Sequence, residues 1–223
     1  MGARTHGRWD ERRRCVGRAG VIMVSRHTRI AVALDAGHGG EDYGAVWGGM
    51  REKDIALDVS CIVHSSVAWP GWRIDSSMVR SADAGISQRT RGGITTAAGV
   101  DIVVHVHVDS RPGSGLAGMR AYHWPGNELG EHVAQSILMA APSPLRSGVA
   151  PIAAVGPPAV PQSDWRRGAR EVMRWHRATS VLVELGYLSS ECDRRALADS
   201  CIRVGAAGAI LVGLLEGRRR LLA

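Results

Sequence analysis

A short apolar strand that runs into a glycine-rich turn constrains this chain more than any other stretch. Residues 30–34 are all apolar, and the sequence DAGHGG follows at 35–40. A turn this rich in glycine does not continue a strand, so it holds His38 near the carboxyl end of the strand. Open α/β sheets build their binding sites at this end of their strands. Taken alone, His38 is either a metal ligand or a packed turn residue.

Three further residues at the ends of predicted elements suggest metal chemistry. Glu52 comes fourteen residues after His38, directly before a predicted helix, and His107 closes a valine-rich strand. Two histidines and one glutamate form the ligand set of a catalytic zinc, which keeps a fourth position for water. Glu184 ends another apolar strand, where its carboxylate could act as the general base toward such a water.

Two of these assignments have alternatives. Alternation along the strand 101–108 puts His105 on the same face as His107, so periodicity does not choose between them. His107 lies nearer to the carboxyl end and is the preferred ligand, whereas we expect His105 to support the ligands or to pack in the core. Glu184 could instead form a salt bridge with an arginine such as Arg80 or Arg89.

Four sequence blocks, in a fixed order along the chain, resemble those of a known protein family. The blocks are GHGG at 37–40, REKD at 51–54, DIVVHVHVDS at 101–110 and VLVELGYLSS at 181–190. Together they resemble the zinc-dependent N-acetylmuramoyl-L-alanine amidases, a family that includes cell-separation and sporulation amidases of bacteria and phage endolysins. The similarity extends from Ile30 to about Glu216.

This resemblance implies a site and a reaction. The family's zinc ligands fall on His38, Glu52 and His107, and its catalytic glutamate falls on Glu184, with one Zn²⁺ expected per chain. The implied reaction is hydrolysis of the amide bond between N-acetylmuramic acid and the L-alanine of the peptidoglycan stem peptide. A zinc peptidase or carboxypeptidase of related fold and an inactive wall-binding relative are the alternatives.

The resemblance also implies a fold and two arginine positions. The expected fold is a single α/β domain with a twisted, mostly parallel sheet of about six strands flanked by helices, similar to zinc exopeptidases. Family members carry an arginine where Arg89 stands, and Arg80 matches another recurrent arginine. Both either orient substrate or form salt bridges on the surface of the protein, and we favour the surface role.

The chain is predicted to contain one domain between two basic tails. Residues 1–28 are rich in arginine and glycine and lack apolar periodicity, so we expect a disordered tail. The catalytic domain is assigned to 29–217 and a basic C-terminal tail to 218–223. Residues 141–165 contain six prolines, which predict a loop without a helix long enough to cover the zinc.

Charge and composition restrict the partners. The net charge of +7 favours an anionic polymer such as a cell-wall glycan. Nucleic acid is not an expected partner, because no binding motif or interleaving of aromatic and basic residues accompanies this charge. No apolar run approaches the ~20 residues of a membrane span, so membrane insertion is not expected.

The N-terminal sequence bears on how the protein would reach the cell wall. No apolar stretch of signal-peptide length follows the basic N-terminal residues. We therefore expect a monomer that is made in the cytoplasm and acts on the cell wall after release, with a phage holin as one export route. A lysin is the kind of enzyme that fits this expectation.

Overall fold

Alternating strands and helices build the part of the chain that the computed structural model describes, residues 29–146 and 172–223. The strands are β1 (Ile30–Ala36), β2 (Val46–Trp47), β3 (Met50–Arg51), β4 (Ile74–Met78), β5 (Ile102–Asp109), β6 (Arg120–His123) and β7 (Thr179–Tyr187). The helices are α1 (Glu52–Val67), α2 (Gln88–Ala98), α3 (Glu128–Met139), α4 (Ser143–Arg146), α5 (Glu191–Ala198) and α6 (Ser200–Leu221).

The central sheet of the described residues has five strands in the order β4-β1-β5-β7-β6. The first four strands run parallel, and β6 runs antiparallel to β7 at one edge. Every residue of β5 is buried, as is typical of a parallel sheet that is covered on both faces. The predicted α/β fold with a mostly parallel sheet is confirmed, with five strands where about six were expected. The short strands β2 and β3 form a hairpin apart from this sheet.

The two faces of the sheet carry different side chains. Helices α1, α3 and α6 pack on one face, over a core that includes Val104, Val106 and Val183. The other face carries Asp35, His105, His107 and Glu184, because successive strand residues alternate between faces. We call this second face the site face. Helix α2 packs on it through side-chain contacts described below.

Several boundaries of helices and strands have local causes. Helix α2 begins at Gln88 because the Ser87 side chain accepts a hydrogen bond from the Thr90 amide, 3.2 Å away, as an N-cap. The helix ends at Gly99, whose φ of 59° is the left-handed conformation in which glycine is favoured after a helix. Strand β4 begins at Ile74, because Pro70–Trp72 before it forms a 3₁₀ turn.

The C-terminal region is helical where a tail was assigned. Helix α6 continues to Leu221, so the basic residues 218–220 belong to its last turn, where positive charge stabilises the helix dipole. The helix thus runs through most of the segment 218–223 that was assigned as a basic tail. By length and composition α6 could cross a membrane. Its residues Ala206, Ile210 and Leu214 are nevertheless buried in the main core, as in a core helix of a globular domain.

Two predicted segments fall wholly or mostly outside the described residues. The N-terminal tail at 1–28 lies outside them, and so does most of the proline-rich loop predicted at 141–165. The beginning of that loop is described and includes the short helix α4.

Candidate active site

Three residues from separate elements converge at the carboxyl end of the sheet. His38 lies in the turn after β1, Glu52 is the first residue of α1, and His107 lies near the end of β5. Their candidate ligand atoms all lie within 4.8 Å of one another. His107 Nδ1 is 2.8 Å from Glu52 Oε1, and His38 Nε2 is 3.2 Å from the same oxygen. The structure thus brings together the three residues that were predicted as ligands.

Glycines allow the backbone to pass directly behind these side chains. A Cβ atom at Gly37 would lie 2.4 Å from the His107 ring, and one at Gly44 would lie 2.5 Å from Glu52 Oε2. His38 itself has φ of 57°, a left-handed conformation that is uncommon for a residue other than glycine. The glycine-rich sequence therefore allows the close approach that this cluster needs.

Hydrogen bonds from outside the cluster orient its members. Asp42 Oδ2 lies 2.8 Å from His38 Nδ1, which fixes the ring with Nε2 toward Glu52. Glu52 Oε2 accepts from the amide of Ala45 at 2.8 Å, and its Oε1 accepts from the amide of Val108 at 3.0 Å. Such partners hold metal ligands in position.

The charges of the cluster suit a divalent cation. Burial raises the pKa of Glu52, but hydrogen bonds from His107 and His38 outweigh it, so the pKa lies below its ordinary range. The glutamate is therefore an ionised carboxylate that faces two imidazole nitrogens. This set of one carboxylate and two imidazoles fits a catalytic zinc.

Glu184 lies beside the cluster on the site face. Its Cα pairs with that of His107 across β5 and β7, where neighbouring strands are about 4.8 Å apart. Its side chain is largely buried. This position agrees with the predicted role as a base, although the role itself stays a prediction.

A buried arginine holds the turn that carries His38. Arg80 Nε donates to the carbonyl of Ala36 at 2.9 Å, and its Nη2 donates to the carbonyls of Gly37 at 2.7 Å and Lys53 at 2.8 Å. The surface salt bridge that was favoured for Arg80 is therefore wrong. The guanidinium is buried because it satisfies backbone carbonyls around the turn.

The arginine of α2 that contacts the turn carrying His38 is Arg91. From the sequence, Arg89 had been considered instead. Arg91 Nη1 lies 2.5 Å from Asp35 Oδ1, and its Nη2 donates to the carbonyl of His38 at 2.6 Å. Arg89 instead lies over the Trp175 ring, 5.4 Å from its centroid. Arg91, Gly92 and Thr95 are the buried residues of α2. The small residues Gly92 and Thr95 could have indicated that this side of the helix packs against the sheet.

A second group of candidate ligands lies behind the first on the site face. Asp35, His105 and His176 also have ligand atoms within 4.8 Å of one another. His105 Nδ1 is 2.9 Å from Asp35 Oδ2, and its Nε2 is 2.8 Å from the Ser180 hydroxyl. His105 therefore bonds away from the His38–Glu52–His107 cluster.

Electrostatics disfavour a metal in this second group. Burial raises the pKa of Asp35, but His105 and Arg91 lower it to about 2, so the carboxylate is ionised. Burial lowers the pKa of His105, which keeps the ring neutral beside it. Arg91 already neutralises the charge of Asp35. A divalent cation bound here would therefore add two positive charges to the protein interior without an anion to balance them. The group is a hydrogen-bonded support for the turn.

We expect Arg91→Leu to lower the free energy of unfolding by roughly 3–5 kcal/mol, because it leaves the Asp35 carboxylate buried without a cation. Urea unfolding at neutral pH measures the change. The double variant Arg91→Leu, Asp35→Asn should regain part of the loss, since no charge is then stranded. Arg195→Leu is the control, because its exposed pair with Glu191 should change stability by less than about 0.5 kcal/mol. An Arg91→Leu protein as stable as the wild type would contradict this account of the turn.

Comparison with known proteins indicates the family of the chain. The sequence pattern of the N-acetylmuramoyl-L-alanine amidase family matches residues 32–216. An uncharacterized protein, YqiI of Bacillus subtilis (strain 168), is 32% identical over 183 residues, which are 82% of this chain and 82% of that protein. The endolysin of Bacillus phage SPP1 is 37% identical over 82 residues, which are 37% of this chain and only 30% of the endolysin.

The fold agrees as well. The solved structure of the amidase AmiC2 of Nostoc punctiforme superposes with a TM-score of 0.68 at 24% identity, covering 87% of this chain and 98% of that one. All four sequence blocks and all four candidate site residues lie inside the matched region. The chain belongs to the N-acetylmuramoyl-L-alanine amidase family.

Proposed function

We propose that this amidase is zinc-dependent and hydrolyses the amide bond between the lactyl group of N-acetylmuramic acid and the L-alanine of the stem peptide. The observation that carries the proposal is the convergence of His38, Glu52 and His107 beside Glu184. Peptidoglycan is the substrate of the family to which the chain belongs, and the site offers the groups that amide hydrolysis needs.

Each residue has a distinct task in this proposal. His38, Glu52 and His107 would hold a zinc ion, which would act as a Lewis acid and lower the pKa of a bound water to about 7. Glu52 provides the one negative charge among the ligands, and Asp42 keeps the His38 ring in its binding orientation. Glu184 accepts a proton from the attacking water and later donates it to the leaving amine of L-alanine.

Digestion of purified peptidoglycan tests this proposal. The full chain, zinc and insoluble peptidoglycan are incubated without any other protein, and the newly exposed end groups are identified. New amino-terminal L-alanine with release of stem peptides supports the amidase. Release of a carboxy-terminal amino acid would indicate a carboxypeptidase, and absence of any product would indicate a wall-binding relative.

We further propose that the enzyme acts as a lysin that reaches the wall after release from the cytoplasm. The similarity to part of a phage endolysin supports this role. Expression inside a bacterium with a susceptible wall tests it, with and without a co-expressed holin. Lysis that requires the holin agrees with the proposal, whereas lysis by the enzyme alone would contradict it.

A further inference from the structure

An arginine stands in one cross-strand row with the candidate catalytic residues. Arg120 opens β6, and its Cα pairs with that of Glu184 on β7, which in turn pairs with His107 on β5. Directly paired residues point to the same face of a sheet. The site face therefore carries His107, Glu184 and Arg120 in that order across three adjacent strands.

The Arg120 guanidinium lies beside an aromatic ring, and its Nε–H has no acceptor among the described residues. It lies over the Tyr187 ring, 5.6 Å from the centroid. A register shift between β5 and β7 pairs Tyr187 with Asp109, which returns the ring to this face. Within residues 29–146 and 172–223, Arg120 forms no ion pair, and its buried Nε has no hydrogen-bond partner. A guanidinium that lies over an aromatic ring and forms no ion pair with a carboxylate of the described residues suits the binding of an anion.

The order of the row indicates which part of the substrate would meet this arginine. The acyl carbonyl belongs on the side of His107, and the leaving nitrogen belongs beside Glu184, which protonates it. The peptide that continues from this nitrogen then extends toward Arg120. The stem peptide is the part of the substrate on this side of the bond, and its nearest carboxylate is the free α-carboxylate of the second residue when that residue is isoglutamate.

We propose that Arg120 binds this carboxylate and makes the enzyme prefer stem peptides whose second residue carries a free acid over those in which it is an amide. The inference rests on the proposed function, because it assumes cleavage at L-alanine. A carboxylate can accept two parallel hydrogen bonds from a guanidinium, whereas a neutral carboxamide loses the charge and one acceptor.

Two soluble muramoyl peptides test the proposal, one with isoglutamate and one with isoglutamine at the second position. The wild type should cleave the acid with a kcat/KM at least about tenfold higher than that of the amide, as expected for hydrogen bonds to a charged group. In Arg120→Gln this ratio should fall to near one, mainly through a higher KM for the acid. Arg120→Lys should restore part of the ratio.

The ratio separates substrate recognition from general damage, because misfolding lowers both rates together. Arg219→Gln is the matched control, since it removes one positive charge from an exposed side chain of α6 and should keep the wild-type ratio. A ratio in Arg120→Gln equal to that of the wild type, whatever the absolute rates, would overturn the proposal.

Binding of the free acidic stem peptide, measured by calorimetry, distinguishes this inference from the proposed function. Affinity that falls at least about tenfold in Arg120→Gln supports the arginine site even if the wild type cleaves neither substrate. Cleavage of neither substrate would count against the proposed amidase alone. Equal affinity of the two proteins for the peptide would overturn the role of Arg120.

Discussion

Replacing His107 with alanine is expected to empty the metal site and to reduce peptidoglycan hydrolysis to the background of the assay. His107 supplies one of two imidazole nitrogens, and its loss leaves only His38 and Glu52 around a position that needs three protein ligands. Elemental analysis of the purified, folded protein measures bound zinc, and release of stem peptides measures turnover.

His105→Ala is the matched control for this experiment. It removes the same kind of side chain, two residues away on the same strand and the same face. Its nitrogens bond to Asp35 and Ser180, so the variant should keep most of its zinc even if its stability falls. A folded His105→Ala protein without zinc, beside a His107→Ala protein that retains it, would show that the ligand assignment is wrong.

Glu184→Gln is expected to keep its zinc and to lose turnover by a factor on the order of a hundred or more. The amide preserves the shape of the side chain on β7 but cannot accept a proton from water or return it to the leaving amine. Zinc content and the rate of stem-peptide release are measured on the same preparation, so that loss of metal and loss of chemistry are told apart.

Glu191→Gln makes the same chemical change at an exposed position on α5. Its side chain pairs only with Arg195 in the ion pairs of the described residues, and turnover should stay close to that of the wild type. Near-normal turnover in a zinc-loaded Glu184→Gln protein would remove Glu184 from the mechanism.

Features that depend on local sequence were predictable here. The glycines around His38 predict a turn, and strands rich in valine predict a parallel sheet that is buried on both faces. Because parallel strands end at one edge, residues at strand ends such as His107 and Glu184 could be placed together before their distances were known. The order of the four blocks then indicated the amidase family, which the family match over residues 32–216 confirms.

Features that depend on tertiary pairing were not predictable. Arg80 is buried and Arg91 contacts the turn because the folded turn presents backbone carbonyls to both guanidinium groups. No pattern in the local sequence predicts these contacts. The row that includes Arg120 requires β6 to pair antiparallel with β7, which is a contact between segments distant in sequence. The hairpin of β2 and β3, which forms apart from the five-stranded sheet, was likewise not predicted from the sequence.

Titration of metal-free protein with zinc tests the central claim most directly. The full chain is stripped with a chelator, zinc is added in measured equivalents, and the release of amino-terminal L-alanine from peptidoglycan is followed. Activity should be absent at the start, rise in proportion to added zinc, and stop rising at one equivalent per chain. Full activity in the stripped protein, or a rise that continues to two equivalents, would contradict a single catalytic zinc held by His38, Glu52 and His107.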